Sequence, residues 1–332
     1  MQLPSGQKVD RFRTELEKLW IEHDEGGRLG VAVSGGPDSL ALLLLAHAAL
    51  PGRVVAATVD HGLRPESAGE AAFVHELCGS LGIPHLTRRV AVAEGNLQDR
   101  AREARYRALY VAFLDLGTST LATAHHADDQ AETVLMRLNR GSGVAGLAGI
   151  RALRVDTNAC PLAEVLIVRP LLEWRKQELE QIVAEAGIEP VRDSSNADER
   201  FDRVRLRSAL RDADWIDPVA VARSARILQD AERIVGRAIN QTYEECVFRE
   251  GAAIWFHPGH PFLLELEVVE RILAEFGAKP RGSAVATMVE ALRRDGAACL
   301  GGVMARSAWH QWQPRSQVDA WKFEREPPRR TN

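Results

Sequence analysis

"LGVAVSGGPDSLALLLLAHAAL", residues 29–50, joins two patterns across six residues. Leu29 to Val33 is a short apolar run of strand type, and Leu40 to Leu50 is an apolar helix pattern. Between them stands Ser34-Gly35-Gly36-Pro37-Asp38-Ser39. Glycines let a backbone turn tightly and bring its N–H groups near an anion, and the following helix adds partial positive charge at its N-terminus. Ser34 and Ser39 can donate hydroxyls to phosphate oxygens. A loop of this kind at a strand-to-helix junction predicts nucleotide binding at the carboxyl end of a sheet. It is neither of the two common phosphate loops. No lysine follows as in GxxxxGK(S/T), and the GxGxxG spacing is absent. An acid among anion-binding groups makes sense if Asp38 holds a divalent cation that bridges phosphates. The plain alternative is a glycine turn with Asp38 capping the helix.

Outward from this junction, strand and helix patterns alternate. Val54 to Val59 is β-branched, Glu66 to Leu81 is helical, and Arg88 to Val92 is a weak strand. Leu97 to Leu116 is helical, and Ser119 to Ala124 is a strand. Such alternation predicts an α/β fold, a parallel sheet with helices on both faces. Ser142 to Ala148 reads as a loop, Val165 to Val168 as a late strand, and Trp174 to Ala186 as a helix stopped by Gly187. From Pro218 to Glu245 the pattern is one long helix, followed by helices around 267–276 and 283–294 and by one or two strands from Cys299 to Trp312. A domain boundary is expected near Asp214 to Pro218. It divides a nucleotide-binding domain, 1–216, from a smaller, mainly helical domain, 217–332, with a short terminal β-element.

The 332 residues carry a net charge of −4, so any nucleic-acid partner must be met by a local basic patch. Cys78, Cys160, Cys246 and Cys299 form no CxxC pair, which predicts isolated thiols in a reducing cytoplasm rather than zinc or an iron–sulfur cluster. No apolar stretch is long enough for a membrane span, and the first twenty residues read as an amphipathic helix rather than a signal peptide.

A second stretch carries chemistry: "HHADDQAE", residues 125–132. His125, Asp128, Asp129 and Glu132 fall at i, i+3, i+4 and i+7, one face of a helix that starts at a strand's carboxyl end. Three carboxylates on one face repel unless a cation sits among them. The adjacent His125 and His126 do not suit a zinc site. An acid-rich first turn favoured by the helix dipole explains Asp128 and Asp129 but leaves His125 and Glu132 unexplained. Between Arg137 and Arg154 four arginines, Arg137, Arg140, Arg151 and Arg154, surround a glycine-rich segment with no acid. They suit RNA phosphates or a solvated loop equally.

SGGPDS resembles the SGGxDS signature of the PP-loop ATP pyrophosphatases. These enzymes cleave ATP between its α- and β-phosphates and adenylate a substrate oxygen, after which a nucleophile displaces AMP. Within that superfamily the chain is most similar to the tRNA(Ile)-lysidine synthetases. The resemblance rests on Asp60-His-Gly-Leu-Arg64, Ala101-Arg-Glu-Ala-Arg-Tyr106, the stretch His125 to Thr133 followed by Arg140-Gly-Ser-Gly143, Arg169-Pro-Leu-Leu172, and Asp193-Ser-Ser-Asn196. It covers residues 25–210 and is weak past 216. It implies ATP as substrate, Mg2+ held through Asp38, and L-lysine and tRNA(Ile) with a CAU anticodon as partners. Lysine would be joined to C2 of the first anticodon cytidine by way of an adenylated cytidine. It further implies that Arg105 reaches the ATP phosphates and that Asp129 and Glu132 engage lysine. His125 and Asp128 would line the ATP and cytidine side. His61, by its place after the second strand, suits the neighbourhood of the adenosine and an ordinary turn equally. Asp193, Ser195 and Asn196 would order a supporting turn. Longer relatives carry further C-terminal domains that grip the tRNA. The alternatives are a tRNA thiolase of the same superfamily, disfavoured by the lack of CxxC, and a tRNA-binding scaffold without catalysis.

Overall fold

The computed structural model describes residues 1–20, 27–60, 67–90, 97–160, 163–191, 202–280, 282–313 and 316–326. The chain divides into two compact units, Met1–Gln229 and Asp230–Asn332. The first contains α1 (Gly6–Glu17), β1 (Leu29–Ala32), α2 (Pro37–Ala49), β2 (Val54–Asp60), α3 (Ser67–Ser80), β3 (His85–Arg89), α4 (Leu97–Asp115) and β4 (Thr120–Ala122). There follow α5 (Ala127–Leu138), α6 (Val144–Leu147), β5 (Leu153–Cys160), β6 (Ala163–Val168), α7 (Lys176–Glu185), α8 (Asp202–Asp212) and the start of α9 (Pro218–Cys246). The division falls inside α9, later than the Asp214–Pro218 stretch where the sequence pattern changes. That stretch marks where the helix begins; Ala222 and Ala225 are still buried and Gln229 still bonds the first unit, through Ala148 O at 2.9 Å.

Six strands lie in the order β3-β2-β1-β4-β6-β5. All neighbours are parallel except β5, which runs antiparallel to β6 at the edge. Period-two alternation sends β2 residues to two different cores. Val54 and Ala56 join α1, α2, α3 and α7 on one face, and Val55 and Ala57 join α4 on the other. Gly30 of β1 is required by close approach: a Cβ there would stand 2.5 Å from Phe113 Cδ1 of α4 and 2.8 Å from Thr120 O. The helix α2 is apolar all round because it is buried all round, with Leu40 to Ala46 inaccessible between the sheet, α1 and α7.

Four departures from the sequence reading have physical causes. β3 starts at His85, ahead of the expected Arg88, because its pairing begins with His85 opposite Ala56. One helical turn, α6, lies within the expected loop. β5 and α8 had no apolar pattern to announce them: β5 is a polar edge strand, and α8 reads DRVRLRSALRD.

The second unit takes the rest of α9, β7 (Val247–Glu250), β8 (Ala253–Phe256), α10 (Phe262–Glu275), α11 (Gly282–Asp295), β9 (Ala297–Leu300), β10 (Val303–Gln313) and β11 (Ser316–Arg325). Its β-element is larger than expected, a five-stranded antiparallel sheet ordered β7-β8-β11-β10-β9. Gly301 and Gly302, at φ +59° and +76°, form the two-residue turn between β9 and β10, which only residues tolerant of positive φ can make. One face of the sheet packs Phe256, Val303, Ala305 and Phe323 against α10 and α11.

Candidate active site

The strand order reverses at β1, which has β2 on one side and β4 on the other. Ligands of open α/β sheets bind outside the carboxyl ends of the strands at such a switch point. The loop after β1 is Ser34 to Ser39 and the loop after β4 leads into the acidic helix, so adjacency of two strands brings both stretches together.

The first loop is tightly bonded. Gly35 has φ +83°, its O accepts from Val191 N at 2.9 Å, and a Cβ would stand 2.9 Å from Val191 Cγ2. Gly36 is the N-cap of α2, and a Cβ there would meet only Ser34 Oγ, at 3.7 Å. Pro37 occupies the first helical turn, where its missing N–H costs nothing. Ser39 Oγ donates to Gly36 O at 3.0 Å and accepts from Ser34 N at 3.1 Å. With that proton committed, Ser34 is the donor across the 3.2 Å contact between the two hydroxyls. Both hydroxyl protons therefore close the loop, and the backbone N–H groups of the first turn of α2 remain its anion-facing donors. Asp38 sits in that turn with Oδ1 buried and without a hydrogen bond among the described residues.

The acidic helix begins at Ala127, two residues later than its one-face pattern requires. His126 is the N-cap of α5 in a capping box: its Nδ1 accepts from Asp129 N at 3.4 Å, and Asp129 Oδ2 accepts from His126 N at 3.2 Å. Ala127 N adds a bond to Trp174 O at 2.9 Å. His125 thus lies before the helix, its Nδ1 2.9 Å from Thr123 Oγ1, and does not share the face of Asp128, Asp129 and Glu132. The histidine that enters the cluster is His126, which is 4% exposed. Its Nε2 lies 3.6 Å from Asp38 Oδ2 and 3.5 Å from Asp129 Oδ2. Burial opposes charge on this ring, but the neighbouring carboxylates of Asp38, Asp129 and Asp128 outweigh it and raise the pKa. A second ring proton would point at Asp128 Oδ2, 3.7 Å from Nδ1, and would displace the helix cap.

The three carboxylates have different neighbours. Asp128 Oδ2 accepts from Lys176 N at 2.8 Å and Oδ1 from Arg175 Nη2 at 3.3 Å, so Asp128 ties α5 to the start of α7. Glu132 is 2% exposed and accepts two bonds from Arg207 of α8, Nε to Oε1 and Nη2 to Oε2, the latter at 3.0 Å. Arg207 also lies 3.8 Å from Asp129 Oδ1. The Glu132 hydrogen bond, stronger than the opposing burial, raises the guanidinium pKa further.

Other residues singled out in the sequence fall elsewhere. Arg105 is exposed on α4, its guanidinium 5.8 Å from the centre of the Tyr106 ring. Arg137 Nη1 donates to Gly146 O at 2.9 Å and Gly149 O at 3.1 Å, and Arg151 donates to Gly149 O at 2.7 Å and Ala145 O at 2.8 Å. These two arginines pin the glycine-rich segment from within. Arg140 is exposed, and Arg154 pairs with Asp156 at 3.1 Å. His61, Arg64, Asp193, Ser195 and Asn196 lie outside the described residues. Sequence reasoning missed His126, Arg175 and Arg207. The spacing of His126 to Asp129, N-cap to third helical position, was the available signal for the first; nothing distinguished the other two within their basic surroundings.

A phosphate loop and an acidic helix start, joined at the switch point of a parallel sheet, define a nucleotide-dependent enzyme of the PP-loop class, and residues 8–213 match the PP-loop domain family. The chain is 42% identical over 98% of its length to a tRNA(Ile)-lysidine synthase of Novosphingobium aromaticivorans, covering 95% of that protein. It is 36% identical over 96% of its length to one of Zymomonas mobilis, again covering 95%. It belongs to the tRNA(Ile)-lysidine synthase family of PP-loop proteins. A U34-tRNA thiolase from Methanococcus maripaludis shares the fold, with TM-score 0.53 and 17% identity over 67% of this chain and 78% of that one.

Proposed function

We propose that the chain modifies a tRNA(Ile) with a CAU anticodon, using ATP to join L-lysine to C2 of the first anticodon cytidine. Family membership supports lysidine formation. The observation that carries the finer reading is the meeting of the phosphate loop with Asp129 across His126, with Glu132 joined to Asp129 through Arg207. In the first step the cytidine O2 attacks the α-phosphorus, the bond to the bridging oxygen breaks, and pyrophosphate leaves. In the second the lysine ε-amine attacks C2, the C2–O2 bond breaks and AMP leaves; the amine proton passes to a nearby base. AMP makes the O2 a good leaving group. An unpaired loop base can be splayed out for the attack.

Asp38 suits a divalent cation: an orphaned, buried carboxylate oxygen beside a phosphate-binding turn is costly unless a positive charge meets it. Among the described residues no three His, Cys, Asp or Glu side chains converge on a metal position. Mg2+ takes one or two carboxylates and completes its shell with phosphates and water, so the single orphaned Asp38 oxygen suits it. When bound, the ion would neutralise charge developing on the phosphates. The backbone N–H groups of α2 orient the triphosphate. Asp129 and Glu132 receive the lysine amine, and Arg207, already beside both, suits the amino acid's carboxylate. Arg140 and Arg154, both exposed, suit tRNA phosphates, while Arg137 and Arg151 shape the segment that carries Arg140. Arg105 is assigned to the phosphates on the family resemblance.

The test is incorporation of labelled lysine into unmodified tRNA(Ile) with a CAU anticodon, with and without ATP. ATP-dependent label that disappears in Asp38→Ala is the expected result. No label, with tRNA-dependent ATP–pyrophosphate exchange intact, overturns the lysine reading and keeps the nucleotide chemistry.

A further inference from the structure

His126 has a position none of the foregoing steps uses. It is 4% exposed; Nδ1 faces α5, and Nε2 faces both α5 and the start of α2. Because Nδ1 accepts the Asp129 N–H as helix cap, the ring proton resides on Nε2. That atom stands between two carboxylates, 3.6 Å from Asp38 Oδ2 and 3.5 Å from Asp129 Oδ2. The ring cannot drift: the capping box fixes its own backbone, and Ala127 N on Trp174 O fixes the next residue. On the other side of the Asp38 carboxylate, Oδ1 is buried and has no hydrogen bond among the described residues. With Oδ2 drawn toward the imidazole across 3.6 Å, Oδ1 is the oxygen turned away from the ring.

We propose that His126 is a positioning residue of the nucleotide site: its Nε2–H draws the Asp38 carboxylate toward it by Oδ2 and so leaves Oδ1 facing the cation that accompanies ATP. The inference rests on the cation reading of Asp38 given above. The same ring holds Asp129, so one side chain sets the ATP loop and the amine-binding helix at a fixed separation. His126 touches neither substrate.

Two substitutions separate this role from helix capping. His126→Asn keeps a good cap acceptor but withdraws the donor from Asp38. His126→Gln places an amide N–H near the position of Nε2 but gives up the cap. The readouts are the thermal midpoint and equilibrium binding of α,β-methylene-ATP, in Mg2+ and in EDTA, to the full chain without tRNA or lysine. The native protein is expected to bind more tightly in Mg2+. The Asn variant is expected to keep its midpoint, to lose about tenfold or more of its affinity in Mg2+ and to bind as the native protein does in EDTA. The Gln variant is expected to melt earlier and to recover most of the Mg2+-dependent affinity. Native affinity of the Asn variant in Mg2+ overturns the proposal. So does loss of affinity in both variants in step with their melting, or native binding indifferent to Mg2+. Lysine transfer is measured separately: Mg2+-dependent binding that needs His126 in a protein that transfers no lysine refutes the proposed reaction and leaves this role standing.

Discussion

Glu132 and Arg207 form an enclosed ion pair of the site, with side chains 3% and 29% exposed. Removing one partner from such a pair strands the other, whereas removing both together costs far less. Arg207→Met is therefore expected to destabilise the chain by about 3 kcal/mol, with Glu132 left uncompensated. The double variant Arg207→Met with Glu132→Leu should recover most of that loss while abolishing lysine transfer. Urea unfolding of the three proteins checks it, and a double variant less stable than Arg207→Met would show that the pair does not hold the site together. The sequence disclosed half of this pair. Glu132 was visible because helical spacing puts it beside Asp128 and Asp129. Arg207 was not, because it comes from a helix some seventy-five positions away with no motif of its own. The two histidines show the same limit at closer range. Periodicity chose His125 over His126 by assuming that both are helical, and the helix start at Ala127, with His126 as its cap, reverses the choice.

Elements were legible where their chemistry is repetitive. β1, α2, β2 and α4 announce themselves by apolar pattern, and the loop between β1 and α2 by its glycines. The segment after α5 is harder, because side-chain to backbone bonds rather than a hydrophobic period hold it in place. Gln130, 1% exposed, accepts from Ile150 N at 2.6 Å and donates to Ile150 O at 3.0 Å, while Arg137 and Arg151 take the carbonyls of Ala145, Gly146 and Gly149. Gly149 has φ +66°, and a Cβ there would stand 2.4 Å from Gln130 Oε1, which its own bonds hold still. Gly149→Ala is thus expected to cost about 1–3 kcal/mol and to free the segment from α5. Hydrogen exchange should rise over residues 141–150. The KM for tRNA should rise with it while α,β-methylene-ATP affinity stays native. Unchanged exchange would mean that the clamp does not set the segment's order.

At the scale of the molecule, the active site belongs to one unit. Both core clusters of Met1–Gln229 flank one sheet, and the phosphate loop, His126, Glu132 and Arg207 all stand on elements of that unit. The second unit has its own sheet and its own core. Self-sufficient cores predict separate folding, provided that no helix is cut. Because the division passes through α9, the informative piece ends at Cys246, where the helix ends, rather than at Gln229. Such a piece is long enough to bury a full core. Met1–Cys246 is expected to melt in one cooperative transition and to bind α,β-methylene-ATP with native affinity. The chain's net charge of −4 offers tRNA no general attraction, so recognition must be assembled from local contacts, and losing any surface that supplies them should show in the KM for tRNA. Calorimetry and nucleotide titration of the piece test the first expectation. If Met1–Cys246 aggregates or fails to bind the nucleotide, the second unit is part of what holds the site in shape, and the division of the chain into two cores does not extend to two independently stable folds.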